Sequence, residues 1–352
     1  MSTDVGAPAT TWVTRSELRV PGSGLLLVSP LGDTVVPLDG DALAAALDLA
    51  REGLTAAGIA ADDRVVVALN NDEGLTGALL AQASAGIAAA AAAPGPRGRM
   101  RLLAVLRAVG ATALVATPTG AMDLLARLHL EFLVDPLDLG LRRIVLTGEI
   151  ASPGTARHLA AEFDAEVTEL YTDPVFGLPA ATGPFTPVRP DLLALAPLDS
   201  DELRTPAGPA EVVLTPTWHP HLAHLAIRTG QVVDNPPAMP AHTVGDHLLV
   251  RGRWLALPRL TQALARIDGI AHWELLVARS GTLDAATLRV TFSRASLLRN
   301  PMWTRRIEQA VAAVTPVSIA LTVANEIADA PQPPTVTDQR GQHLGLDRAA
   351  VG

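Results

Sequence analysis

The chain has 352 residues, enough for two domains and a large buried core. Its formal charge is −9, from 27 basic and 36 acidic residues, and the basic residues are spread along the chain, which argues against a nucleic-acid partner. There is no cysteine and no lysine, which excludes disulfides, thiolate nucleophiles, Cys-ligated metals, Schiff bases and lysine–phosphate contacts.

The N-terminal sequence MSTDVGAPATTW lacks a basic region followed by an apolar one, so no signal peptide is expected. The longest uncharged stretch, 74–94, is mostly alanine interrupted by Gly77, Gln82, Ser84 and Gly86. It reads as a helix followed by a buried strand, not as a membrane span. The expectation is a cytoplasmic protein with no membrane partner.

From residue 24 onward strand and helix patterns alternate. GLLLVS (24–29) reads as a strand, 31–33 as a turn and 34–37 as a second strand. Asp39 and Gly40 open a helix that stops at Gly58. RVVVAL (64–69) reads as a buried strand, followed by a helix at 75–85, a strand at 87–93 and a PGPRG loop at 94–98. Then come a helix at 100–109, a strand at 113–116, a helix at 119–128, a strand at 143–146, a helix at 154–163 and a strand at 165–170. This order predicts an α/β fold, with a parallel sheet covered on both faces. Beyond Tyr171 proline and glycine become dense, and strands alternate with turns to about Val233, as in an antiparallel or mixed sub-barrel. NPPAMP (235–240) reads as a rigid connector. A strand at 247–250, a helix near 259–267, strands at 274–278 and 288–292, a helix at 303–314 and a strand at 318–324 form a small α+β unit. The expected domains are a large α/β domain over 1–245, a small α+β domain over 246–330 and a poorly ordered tail over 331–352.

Several segments in this order carry a resemblance. They include LRVPGSG (18–24), LTAAGIAADDRVVVAL (54–69), RLLAVLRAVGATALVATPT (101–119), IVLTGEIAS (144–152), AEVTELYTD (165–173), EVVLT (211–215), LAIRTGQVV (225–233), DHLLVRGRWLALP (246–258) and LDAATLRVTF (283–292). Collinear from about Leu18 to Phe292, they resemble the phenylacetate–coenzyme A ligase branch of the adenylate-forming, or acyl-CoA synthetase, superfamily. That family activates a carboxylic acid with ATP as an acyl adenylate, then passes the acyl group to coenzyme A. The resemblance implies a large α/β N-terminal domain and a small, mobile C-terminal domain.

Most of the family's nucleotide signatures are altered here. Its phosphate loop, rich in Ser, Thr and Gly and carrying a lysine, falls on Gly22-Ser23-Gly24 followed by Leu25-Leu26-Leu27-Val28, an aliphatic run that prefers burial. Its Tyr-Gly-x-Thr-Glu motif, which serves the nucleotide phosphate and magnesium, falls on Tyr171-Thr172-Asp173-Pro174-Val175. Here Tyr171 matches, the Glu position is Val175, and Asp173 is an oxygen donor in a shifted register. The ribose motif keeps Arg228-Thr229-Gly230 but has Gln231 where the family has an aspartate. Arg228 reads equally as a structural turn arginine. Gly148-Glu149 falls on a segment bordering the adenine and acyl pocket, or else supplies an acid to a helix N-terminus. Asp246 marks the hinge, Arg251-Gly252 falls on the coenzyme A side, and the family's C-terminal lysine is absent.

Two further groups stand out from the residues alone. Trp218-His219-Pro220-His221-Leu222-Ala223-His224 is the densest histidine cluster. In an extended segment His219 and His221 share a face, and a neutral histidine there could act as a base. Three imidazoles can also bind zinc, but the solvent-facing loop is favoured, so no metal is expected. Asn70–Glu73 follows a buried strand where α/β ligand sites lie, or supplies a helix cap at Asp72.

Losing the loop, the lysine and both carboxylates removes the groups that stabilise a pentavalent phosphate. The expectation is therefore a ligase-like protein with an eroded ATP site, with ATP and Mg²⁺ not used. It would bind coenzyme A or an acyl thioester of a small acyl or aryl carboxylate and transfer the acyl group. The alternatives are a non-catalytic partner of an active paralogous ligase or carrier protein, and a functional AMP-forming ligase.

Overall fold

The structure is a computed structural model, and it describes residues 11–29, 34–70, 75–95, 99–152, 154–205, 208–234, 238–281, 283–298, 300–328 and 330–345. Contacts divide the chain into two compact units, 1–241 and 242–352.

The first unit runs β1 (Thr11–Thr14), β2 (Leu25–Val28), β3 (Val35–Leu38), α1 (Gly40–Ala56), β4 (Arg64–Ala68), α2 (Thr76–Ile87), β5 (Ala90–Ala92), α3 (Arg99–Val109), β6 (Ala113–Ala116) and α4 (Pro118–Arg127). It continues with β7 (Arg143–Leu146), α5 (Thr155–Phe163), β8 (Glu166–Thr172), β9 (Pro179–Thr182), β10 (Thr186–Pro187), β11 (Leu193–Ala196), β12 (Ala210–Leu214) and β13 (Leu225–Val233). The main sheet has the order β10-β9-β8-β7-β6-β4-β5. It is parallel from β5 to β8 and antiparallel at β8–β9 and β9–β10.

Side-chain alternation sends Val65, Val67, Ala113, Val115 and Val145 into one core with α1 and α2. Val66, Ala68, Leu114, Ala116, Ile144 and Leu146 enter a second core with α3, α4 and α5. Both faces are covered, as the strand–helix alternation implies, and this is why these strands read as unbroken apolar runs. Helix α1 starts where Asp39 accepts from the Ala42 amide at 2.9 Å, and α4 where Thr117 accepts from Gly120 at 3.0 Å with Pro118 in its first turn. The helix expected over 119–128 ends at Arg127, and Leu128–Phe132 continue as a π-helical turn.

One expectation is corrected here. Leu25–Val28 is the outer strand of a hairpin with β3, and only Leu27 is buried, while Leu25, Leu26 and Val28 are exposed by 44%, 46% and 46%. An apolar run on an edge strand has one covered face at most. The turn read at 31–33 lies outside the described residues.

A second sheet runs β1-β13-β12-β11, with β1 parallel to β13 and the other pairs antiparallel. Every residue of β12 and β13 is buried.

The second unit runs β14 (His242–Thr243), β15 (His247–Val250), β16 (Arg253–Ala256), α6 (Leu257–Ala265), β17 (Ile270–Ser280), β18 (Leu283–Phe292), α7 (Ala295–Leu298), α8 (Pro301–Ala312), β19 (Ile319–Ile327) and β20 (Thr335–Asp338). Its sheet has the order β19-β18-β17-β20. The segment read as a tail from 331 is built into this unit as far as 345. β20 pairs in parallel with β17, and Arg340 bridges Asp338 at 2.9 Å and Asp284 at 2.6 Å. Residues 346–352 lie outside the described residues. Among the described residues no helix is long and apolar enough to cross a membrane.

Candidate functional site

Parallel sheets present their loops at the carboxyl edge, and ligands of open α/β folds bind there. In this chain the edge carries hydroxyls. Thr147, after β7, and Thr172, at the end of β8, place their Oγ1 atoms 3.0 Å apart, both buried. Thr117 and Thr119 lie after β6 with Oγ1 atoms 3.4 Å apart. Gly148 turns beside them with φ +82°, where a Cβ would approach Thr117 Cγ2 at 3.7 Å. Glu149 is tied to this edge: Thr119 donates its amide at 3.0 Å and its hydroxyl at 2.7 Å to the carboxylate. The acid thus closes the first turn of α4, not of its own helix α5.

The Asn70–Glu73 group is only partly visible, since 71–73 lie outside the described residues. The expected phosphate-loop residues are packed against a neighbouring strand. Gly22 and Gly24 lead straight into β2, packed so closely on β3 that a Cβ on Gly22 would meet Pro37 Cγ at 2.4 Å and one on Gly24 would meet the Leu38 carbonyl at 2.5 Å. Gly24 has φ +106°, and Ser23 between them is exposed. Their glycine requirement comes from this close approach.

Asp173 is buried, and its carboxylate staples the loop after β8. It accepts from the amides of Val175 at 2.9 Å, Phe176 at 2.6 Å and Leu178 at 3.1 Å. Burial raises its pKa to about 6, against those same amides, which lower it. Val175 belongs to the α1/α2 core. Tyr171 is buried 5.7 Å from Phe185, and burial together with Asp173 and Glu211 pushes its phenol upward. Its hydroxyl lies beside Thr229 but outside hydrogen-bond geometry, so it is a buried polar atom without an aligned partner among the described residues.

Arg228 on β13 is heavily engaged. Its guanidinium meets Glu211 at 2.6 Å, Asp201 at 2.9 Å, the Ser200 carbonyl at 2.5 Å and the Pro197 carbonyl at 3.3 Å. It also lies 5.1 Å from the Trp12 ring centroid. Glu211 on β12 is wholly buried, and its other oxygen accepts from Gly230 at 2.9 Å. Sequence reasoning missed Glu211, although a lone carboxylate inside AEVVL (210–214) signals a buried partner. Gln231 is buried with its Oε1 unpartnered among the described residues.

Two of the three histidines, His219 and His221, come together. His219 is buried: one ring nitrogen lies 3.1 Å from the Pro37 carbonyl, and the other accepts from the His221 amide at 3.2 Å. That pattern fixes a neutral tautomer with Nε2–H donating, and burial holds its pKa below the ordinary value. His221 is exposed, 3.8 Å from Asp39, and His224 is exposed. The segment is a series of turns and not an extended strand, yet the His219 and His221 rings still meet edge to face with centroids 6.0 Å apart. Among the described residues no group of three or more His, Cys, Asp or Glu could hold a metal.

Three expected site residues belong to the second unit. Asp246 contacts His247 Nδ1 at 2.5 Å, and its carbonyl accepts from the Leu257 amide. Arg251 and Gly252, with φ +53° and +69°, form the tight turn between β15 and β16. Arg251 Nε donates to the Asp284 carbonyl at 2.5 Å.

No family profile matches the chain, and no curated protein is significantly similar to it. Solved structures are. A 2-hydroxyisobutyryl-CoA ligase in complex with 2-HIB-AMP and CoA has a TM-score of 0.75 at 18% identity, over 93% of this chain and 76% of that one. The amide bond synthetase McbA from Marinactinospora thermotolerans has 0.61 at 16% identity, over 90% and 65%. A malonyl-CoA ligase with methylmalonyl-CoA and AMP bound has 0.58 at 14% identity, over 81% and 67%. The fold of this chain is the adenylate-forming ligase fold. Identities this low establish the fold alone.

Proposed function

We propose that this chain is a divergent member of the adenylate-forming superfamily, on its phenylacetate–coenzyme A ligase side. It binds a small acyl or aryl carboxylate derivative as a coenzyme A or other thioester, and it binds or transfers that acyl group without adenylating it from ATP. Arg228 carries the reading. A cation that meets a phosphate or ribose must have donors to give, and this one is buried and committed to Glu211, Asp201 and two backbone carbonyls.

Magnesium–ATP, which the resemblance would bring, does not fit the remaining donor set. Mg²⁺ needs carboxylate oxygens free to take octahedral positions. Asp173 gives its oxygens to three backbone amides, and Val175 at the expected carboxylate position is core. The unpartnered polar atoms, the Tyr171 hydroxyl and Gln231 Oε1, suit an uncharged hydroxyl or amide better than a phosphate. ATP–pyrophosphate exchange across a panel of carboxylic acids, run beside thermal shifts with Mg-ATP, AMP, CoA and acyl-CoA, tests this. The expected result is no exchange, with stabilisation by a thioester and not by Mg-ATP; robust exchange restores an ordinary AMP-forming ligase.

A second reading is a non-catalytic partner of an active ligase or carrier protein. The histidine geometry favours it, because His219 has both ring nitrogens engaged and no free base remains in that cluster's interior. Absence of both exchange and thioester binding selects it.

A further inference from the structure

The segment after α4 departs from the rest of the first unit. Leu128–Phe132 forms a π-helical turn, and Leu133 then adopts φ +50° and ψ +46°. That left-handed position favours glycine or asparagine at a helix end, and a bulky apolar residue there is strained. The fold makes no use of the side chain, since Leu133 is 84% exposed. Leu130 is 80% and Leu137 is 54% exposed beside it. Leu133 and Leu137 line an open groove of about 630 Å³ together with Leu128, His129, Asp135 and Glu162, and Leu130 lies in the π-helical turn that supplies one of its walls. A glycine at 133 would relieve the backbone, and the leucine instead leaves a large apolar side chain in solvent at a strained position.

The charges around the groove indicate what that is. Asp135 and Glu162 line it, and Glu131 and Asp138 flank the leucines. The one arginine of the stretch, Arg127, is engaged by Asp123 and Glu131, and His129 lies 3.6 Å from Glu162. An acidic surface would meet like charge here, which also disfavours a second copy of this acidic chain. We propose that the groove between the π-helical turn and α5 docks an amphipathic helical segment of a partner protein. Its leucine-type face packs on Leu130, Leu133 and Leu137, and its opposite edges carry Arg or Lys toward Asp135 and Glu162.

The proposal is independent of the chemistry assigned to the sheet edge. Its test uses the full chain and two labelled synthetic helices of about 18 residues with one apolar stripe, one with lysines and one with glutamates on the polar face. Fluorescence anisotropy should give the lysine helix a Kd near 10 µM or below, falling off with added salt, and the glutamate helix at least about tenfold weaker binding. Leu133→Asn combined with Leu130→Gln should weaken the lysine helix at least about tenfold while leaving Tm unchanged or higher, because asparagine suits the left-handed position. Failure of the lysine helix to bind overturns the proposal, as do equal binding of both helices and indifference to the double substitution. A dimer in sedimentation that dissociates in the double variant also overturns it and assigns the groove to a second copy.

Discussion

The buried Arg228–Glu211 pair yields the sharpest prediction. Their side chains are 7% and 0% exposed, and Glu211 accepts from Arg228 at 2.6 Å and from the Gly230 amide at 2.9 Å. Arg228→Met removes the cation paired with that buried carboxylate, and breaking a buried ion pair on one side costs about 3–5 kcal/mol. At roughly 2–4 °C per kcal/mol for a unit of this size, Tm should fall by about 6–20 °C. Glu211→Gln keeps an acceptor for Gly230 but removes the charge, so the double variant should recover at least half of the loss. Calorimetry or urea titration of wild type, both single variants and the double closes the cycle. A nucleotide-contacting arginine would behave otherwise, losing ligand affinity and keeping the fold. A Tm for Arg228→Met within about 3 °C of wild type, roughly 1 kcal/mol, would refute the structural assignment and reopen the ATP reading.

Three further outcomes follow from the same geometry. Asp173 titrates near 6 in the folded chain, above the ordinary carboxyl value, so the native state holds its proton more tightly. Its contribution is therefore fully present below about pH 4 and is lost as pH rises toward 6, on the order of 2–3 kcal/mol. Urea titrations at pH 4.5 and 6.5 should show a smaller difference for Asp173→Asn than for wild type. His219 has the opposite sign: burial lowers its pKa, so stability is fully present above about 6.5 and falls with acidification. His219→Phe should be less stable at pH 7, because the Pro37 carbonyl and His221 amide lose a partner at about 1–3 kcal/mol each, yet it should lose less on going to pH 5. Glu149→Ala should cost about 0.5–2 kcal/mol through the first turn of α4, with circular-dichroism melts as the readout.

How much of this the sequence carries depends on whether a residue's partner is near in the chain. The strands β4, β6 and β7 are legible because both faces are buried, so the apolar run alone identifies them. Helix α1 is legible because its cap, Asp39, and its stop at Gly58 are local. β1 and β20 are not, since each is four residues long and exists only through parallel pairing with a distant strand. The run Leu25–Val28 misleads because composition reports apolarity and not which face the fold covers. The same limit governs the site. The motif resemblance around Arg228 and Gly148, and the shifted-register Asp173, does not say whether their hydrogen bonds point to a ligand or inward. Glu211 decides that question for Arg228, and three amides decide it for Asp173. A residue can therefore match a motif while its polar atoms serve the fold, so counting matched residues does not by itself measure retained chemistry. Partner occupancy of each polar atom is the quantity that separates the two cases.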